Sequence, residues 1–424
     1  MDGLPEHLIH KILFRINPRS LVNGDDALHR YLNSHIQDPY FISNYFPPGL
    51  LQISSHGSNL LSYQRYGDSR SRIGVKNTST ECQILGSCSG LLLLFIGDGL
   101  CVANPLTKKF RFLNLSRLMD VLGENTKHVG FAVNQTTPSF EIVHLFEAKK
   151  LNETSYEFEI YAGGGDSWRD SKTKITCQSS DLDNRMKNPV YLDGSLHWLR
   201  KDGGIVAFNP KTHEARLVPT KLPDELSLTA LFTASDNKLT LVSPTKEITN
   251  VYALQDIKSD PKWVLVTRIQ NMVLDVKRPV NVEAYDGRRL VLREVRKKKG
   301  VYDTVLHVYD LSADKWEVMG SIPGWCNSYR DIIQFQPSWS SVVGLDETVA
   351  NCDDDKSISS LRSIIGLIDE EVGRKRTAEV EEEEENKQFS SKKIKLMEKE
   401  ATEEEESRLQ FFRITREGEH VYFD

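Results

Sequence analysis

The sequence predicts a multidomain chain: a small all-α N-terminal part, an all-β domain of propeller type, and an acidic tail without stable structure. Three observations carry that expectation. An amphipathic stretch at the N-terminus stops at Asn17-Pro18. A strand-and-turn unit then recurs, with 43 residues from Gly194 to Asn237 and 50 from Asn237 to Gly287. From Asn351 onward charge accumulates, and between Trp339 and Phe411 the only aromatic residue is Phe389.

Composition narrows the function classes first. The 424 residues are 39% hydrophobic and 27% charged, enough apolar material for at least one large core. The longest apolar run, Gly90 to Ile96, is far short of the roughly 20 residues a spanning helix needs. Asp2 and Glu6 stand where a secretory leader has its basic region, so the expectation is no secretion. The six cysteines show no paired spacing, which suits a reducing compartment and free buried thiols.

Leu4, Leu8, Ile9, Ile12, Leu13 and Ile16 fall on one helical face, and Pro5 lies in the first turn, where its missing N–H costs nothing. A second short helix is expected near Ser20 and a third through Leu28, Leu32 and Ile36, stopped by Asp38-Pro39. Helices this short cannot bury their own apolar faces. At roughly 1.5 to 3 kcal/mol per fully buried Leu or Ile, the first has several kcal/mol to gain from a partner or from the rest of the chain.

The string LPEHLIHKILFRINPRSL, followed by DPYF, resembles an F-box. In that family the motif docks on a Skp-type adaptor, which joins it to a cullin-RING ubiquitin ligase. The resemblance implies Leu4, Pro5, Leu8, Ile9, Ile12 and Leu13 as adaptor-binding residues. The middle departs from the family pattern, reading Leu28-His29-Arg30-Tyr31-Leu32 where Val-Cys-Lys-x-Trp is usual. The alternative reading is a helical cap on the next domain.

Residues 51–350 change to short apolar runs broken by Gly, Asp, Asn and Pro, the grammar of strands and turns. Each unit has a turn ending in Gly, a strand, a hairpin, a second strand reaching an Asn-Pro or Asp-Leu turn, and a further strand that often carries Trp. Asn104-Pro105 and Asn209-Pro210 occupy equivalent places, as do Trp168, Trp263 and Trp316. Units of this size are blades that cannot cover their own faces, and about six would fit. The run Gly86-Ser87-Cys88-Ser89-Gly90-Leu91-Leu92, the turn Asn104-Pro105-Leu106-Thr107 and the element from Val190 to Leu199 resemble the F-box-associated interaction domain of plant-type F-box proteins. That resemblance implies capture of the protein to be ubiquitinated. The kelch double glycine and the WD dipeptide are both missing.

Signs of chemistry are few. Gly86-Ser87-Cys88-Ser89-Gly90 superficially matches a nucleophile elbow, but Leu91 to Phe95 read as a strand where that motif needs a helix. The eleven histidines contain no HExxH and no His-x-His, and no Cys-x-x-Cys occurs, so no metal site and no catalytic residue is expected. His197 reads as a packed strand residue, and Gly163-Gly164-Gly165 as a hairpin loop. Arg288, Arg289, Arg293, Arg296 and Lys297 to Lys299 cluster across one hairpin, whose tip is expected to be solvated. Without interleaved aromatics they make a poor nucleic-acid surface. Trp325 and Trp339 are candidates for exposed anchors or for core.

The net charge of −6 sits in the tail. Asn351 to Ser407 hold 18 acidic and 10 basic residues, including Glu381 to Glu385 and Glu403 to Glu406, and are expected to stay disordered. Within them Arg374, Lys375 and Arg376, then Lys392, Lys393 and Lys395, resemble a split nuclear import signal. Residues 408–424 are apolar enough at Leu409 to Ile414 and Val421 to Phe423 to suggest either a strand that closes the ring or a segment that binds a partner.

The expected whole is a non-catalytic substrate receptor of a Skp-cullin-F-box ligase, without cofactor or membrane, in the nucleus and/or cytoplasm. The alternative is a nuclear scaffold whose F-box has lost its adaptor. Neither the substrate nor its contact residues can be read from the sequence.

Overall fold

The structure, a computed structural model, describes residues 48–368 except 55–59, 67–75, 116–127, 135–136, 166, 184–188, 273–279, 299–300, 324–331, 339–341, 346 and 349–354. The helices expected before Phe46, the tail beyond Ile368 and the segment 408–424 therefore lie outside the described residues.

Six antiparallel sheets follow one another along the chain. The first holds β1 (Gly49–Ser54), β2 (Leu60–Arg65) and β3 (Lys76–Asn77); the second β4 (Cys82–Cys88), β5 (Leu91–Ile96), β6 (Gly99–Asn104) and β7 (Lys109–Leu113). The third is β8 (Val129–Asn134), β9 (Ser139–Lys149), β10 (Glu153–Ala162) and β11 (Arg169–Gln178). The fourth is β12 (Val190–Leu192), β13 (Ser195–Leu199), β14 (Ile205–Asn209) and β15 (Glu214–Val218). The fifth is β16 (Leu231–Ser235), β17 (Lys238–Pro244), β18 (Ile248–Gln255) and β19 (Lys262–Gln270). The sixth is β20 (Asn281–Tyr285), β21 (Arg289–Lys298), β22 (Val301–Asp310) and β23 (Lys315–Pro323).

Two late strands complete the sheets. β24 (Ile332–Phe335) pairs with β1, Ile332 opposite Gln52, and β25 (Glu347–Thr348) pairs with β7. The innermost strands touch in the order β24, β4, β8, β12, β16, β20 and back to β24, so the sheets form a closed six-bladed propeller.

Turn chemistry sets the blade plan. Ser89-Gly90, Asp193-Gly194 and Asp236-Asn237 have positive φ at both residues and join the pairs Cys88 with Leu91, Leu192 with Ser195, and Ser235 with Lys238. Such two-residue turns match the twist of the strands they join, and Gly, Asn and Asp tolerate them. Between the third and fourth strands a side chain caps the turn. Asn104 Oδ1 accepts from the Leu106 and Thr107 amides, Asn209 Oδ1 from Lys211 and Thr212, and Asp310 Oδ1 from Ser312 and Ala313. Four residues after each cap, Lys108, His213 and Asp314 take positive φ and send the chain back. These are the Asn-Pro and Asp-Leu turns expected from the sequence.

The cores lie between blades. Phe131, Val133 and Phe140 of the third blade pack on Leu91, Leu93 and Val102 of the second; Phe158 stacks on Phe208 of the fourth at 4.2 Å. Blades three and four approach so closely that a Cβ on Gly130 would sit 2.7 Å from Leu196.

The described strands close the ring through β24, whose Ile332 packs with Leu50, Val291 and Leu306, while 408–424, read as a closing strand, lie outside the described residues. One expectation is corrected. The disorder expected from Asn351 does not hold over 356–368, which form a helix, α1. Asp355 Oδ1 accepts the Ile358 amide at 2.8 Å, and Ile358, Leu361, Ile364, Ile365 and Ile368 are buried. Ser360, fully buried, meets Ser79 Oγ and the Thr80 amide at 3.0 Å each. A capped amphipathic turn thus overrides the surrounding charge. Three described points of the chain from Gln336 to Ile368 touch blade two: the Ser338 carbonyl accepts from Asn104 Nδ2 at one end, β25 pairs with its outer strand, and Ser357 at the start of α1 lies beside Gly97 at the opposite end.

Candidate protein-interaction surface

Hairpin length singles out one face of the ring. In blade three, Leu145 to Lys149 continue five pairs beyond the last residue matched to the innermost strand, ending at Lys149 opposite Thr154. In blade six, Glu294 to Lys298 continue five pairs beyond Arg293. The other blades run two pairs or none past that level. At about 3.3 Å per residue, each long hairpin stands roughly 15 Å proud. Both tips connect a second strand to a third, so they rise from the same face, and three blades apart in a ring of six they stand opposite one another. Leu151, 94% exposed, crowns one of them.

The wall of blade three is anchored near its tip. Asp181 takes Lys149 Nζ at 2.7 Å and Lys201 Nζ at 2.6 Å, and these two ammonium groups hold its carboxyl down at about 2. Below them Arg200, almost fully buried, donates to Gln178 O at 2.7 Å and Cys177 Sγ at 3.1 Å and pairs with Asp202 at 2.9 Å. This joins the link after blade three to the turn of blade four. Blade six carries its charge internally: Arg293 Nε lies 2.8 Å from Glu283 Oε1, with both side chains sealed from solvent.

Blade edges differ as well. Trp168 Nε1 donates to Asn114 O at 2.7 Å and Trp316 Nε1 to Gln270 O at 3.0 Å, each reaching from an outer strand or its approach to the preceding blade. Trp263 is the equivalent residue of blade five and packs on Phe232, yet its buried indole N–H meets no acceptor among the described residues.

The residues singled out in the sequence fall as follows. Leu4, Pro5, Leu8, Ile9, Ile12 and Leu13, the basic clusters at Arg374 to Arg376 and Lys392 to Lys395, Trp325 and Trp339 all lie outside the described residues. His197 is buried on β13, its Nδ1 3.2 Å from Val190 O, and burial lowers its pKa to about 4. Cys88 ends β4 and the strand β5 follows directly; burial pushes its thiol up, the reverse of an activated nucleophile. Gly163 to Gly165 form the loop between β10 and β11.

The basic cluster read across one hairpin is divided. Arg289, 5.0 Å over the Tyr66 ring, sits at one end of β21; Arg296, paired with Glu294 at 2.7 Å, sits toward the other; Arg293 is buried between them. Spacing along a strand of ten residues, rather than nearness in sequence, decides which charges meet. The raised hairpins had a signal of their own, since β9, β10, β21 and β22 are, together with β11, the strands of ten residues or more. Among the described residues no group of three or more His, Cys, Asp or Glu could hold a metal ion.

Comparisons with known proteins agree with this architecture. The family model described as "F-box associated beta propeller domain" matches residues 53–265. A relative from Arabidopsis thaliana, named as a candidate F-box protein, is 47% identical over 372 residues, covering 82% of this chain and 88% of its own. A second, named as a candidate F-box/kelch-repeat protein, is 45% identical over 81% of this chain and 79% of its own. A third, F-box by name, is 44% identical over 65% of this chain and 94% of its own. With this identity running through the blades and the matched domain spanning half the residues, the chain belongs to the plant F-box proteins that carry an F-box-associated β-propeller domain.

Proposed function

We propose that the protein is the substrate-recognition subunit of a Skp-cullin-F-box ubiquitin ligase. The N-terminal helices bind the adaptor through Leu4, Pro5, Leu8, Ile9, Ile12 and Leu13, and the propeller binds the protein to be modified. One observation carries the reading: an F-box motif stands immediately ahead of a propeller of the F-box-associated family. The chain performs no bond chemistry; it raises the local concentration of substrate lysines near the ligase. The face between the raised hairpins of blades three and six receives the substrate. The basic clusters at Arg374 to Arg376 and Lys392 to Lys395 support function in the nucleus as well as the cytoplasm.

The missing Trp in the third N-terminal helix, where Leu32 stands, favours a second reading: a nuclear scaffold whose F-box no longer binds an adaptor. One assay separates the two. Full-length protein is titrated with a purified Skp-type adaptor beside the Leu8→Asp, Ile12→Asp double variant. Binding that the variant loses supports the ligase subunit; no binding by folded wild type leaves the scaffold.

A further inference from the structure

Seven large hydrophobic residues among those described are exposed, and three of them are consecutive: Val264 at 39%, Leu265 at 37% and Val266 at 60%. They lie on β19, the outermost strand of blade five, whose sheet ends there. Val266 is the extra residue of a β-bulge, since Thr267 pairs with Val251 and Leu265 with Tyr252. A bare edge offers its unpaired backbone groups to an incoming strand, and proteins usually blunt such edges with charge or cover them. This chain covers one of its own, laying β25 along β7 of blade two. Blade five has no such cover among the described residues, and its edge is apolar in the middle.

We infer that the β19 edge is a docking site for an extended segment of a partner protein, apolar at its centre and acidic at its ends, which adds a fifth strand to blade five. The charges choose the occupant. Lys262 stands at one end of the apolar run, with its side chain 70% exposed, and Arg268 is exposed two residues past the other end. Carboxylates on an incoming strand would meet both. A second copy of this chain fits poorly: antiparallel pairing centred on Leu265 sets Lys262 opposite Arg268, like charge against like. Lys262 does pair with Asp260 at 2.5 Å, but both side chains are exposed, so an incoming carboxylate displaces that contact at little loss. The neighbouring Trp263, whose indole N–H lacks an acceptor among the described residues, leaves the seam between blades four and five without the indole staple that joins blade two to three and blade five to six.

The inference rests on the reading that the propeller binds a protein, and it stands or falls separately from adaptor binding. The test uses the full-length chain and two fluorescent peptides with the same alternating Val-Thr core, one flanked by glutamates and one by lysines. Anisotropy is expected to show saturable binding of the acidic-flanked peptide and at least tenfold weaker binding of the other. The exposed Val266→Asp substitution is expected to abolish binding of either peptide. The Lys262→Glu, Arg268→Glu double variant is expected to reverse the preference. Thermal unfolding and adaptor titration on each variant establish that the fold and the N-terminal helices are untouched. Absence of binding by wild type, equal affinity for the two peptides, or binding that survives Val266→Asp would each overturn the proposal, as would dimerisation of the free protein that Val266→Asp removes.

Discussion

His307 Nε2 lies 2.8 Å from Glu294 Oε2, and neither side chain is more than 1% exposed. Arg296 reaches the same oxygen at 2.7 Å from a half-exposed position. Burial alone would push the Glu294 carboxyl up, but the bonds from Arg296 and His307 outweigh it and leave it below its ordinary value. Burial also lowers His307, with the Glu294 bond opposing. The foot of the blade-six hairpin therefore holds a carboxylate and a neutral imidazole away from water. His307 Nδ1 meets no donor or acceptor among the described residues.

These directions fix the pH dependence of stability. A histidine with a lowered pKa takes up its proton more readily when unfolded, so stability is lost as pH falls through its ordinary 6.5 toward its folded value. For His197 that window runs from about 6.5 to about 4, worth on the order of 3 kcal/mol across its length. His307 adds in the same direction, and Glu294 adds a further loss below its ordinary value near 4.5. Urea midpoints are expected to hold from pH 7.5 to about 6.5 and to fall from there to 4.5, and His197→Gln is expected to flatten the fall. Parallel curves for the variant and the wild type would refute the assignment.

The indole staples make a second, internal comparison. Trp316→Phe keeps most of the ring and removes the bond to Gln270 O, at an expected cost of about 1 kcal/mol. Trp263→Phe removes an N–H that has no acceptor among the described residues, so the loss there is expected to be smaller or absent. Denaturant midpoints of the two variants check the order. The reverse order would mean that Trp263 donates after all.

Much of this was legible in sequence because turns are local. Asn104, Asn209 and Asp310 announce their caps through the residues beside them, and Ser89-Gly90 and Asp193-Gly194 announce two-residue hairpins. The repeat period left room for about six blades without fixing the count. Long-range pairing was not legible: nothing in Ile332 to Phe335 says that its partner is β1, some 280 residues earlier. Helix α1 was missed for a different reason. Averaged over Asn351 to Ser407 the charge hides an apolar series at 358, 361, 364, 365 and 368, preceded by Asp353 to Asp355, which suit a helix N-terminus. The candidate surface needed both strand lengths and ring order, and only the lengths leave a trace in the sequence.

Closure by β24 predicts how the ring should fail. Ile332 is 1% exposed in the cluster that joins blade six to blade one, and Ile332→Ala is expected to cost about 2 to 4 kcal/mol. Because β24 ties the C-terminal end of the ring to its first strand, opening there frees the edges of two blades together, and the loss should appear in global unfolding. Asp355→Ala acts elsewhere: it removes the acceptor of the Ile358 amide at the start of α1 and is expected to cost about 1 kcal/mol. That cost should appear as faster amide exchange within 356–368, with the exchange of β1 and β20 unchanged. If Asp355→Ala instead accelerates exchange throughout the blades, α1 is part of the closure and not an attachment outside it.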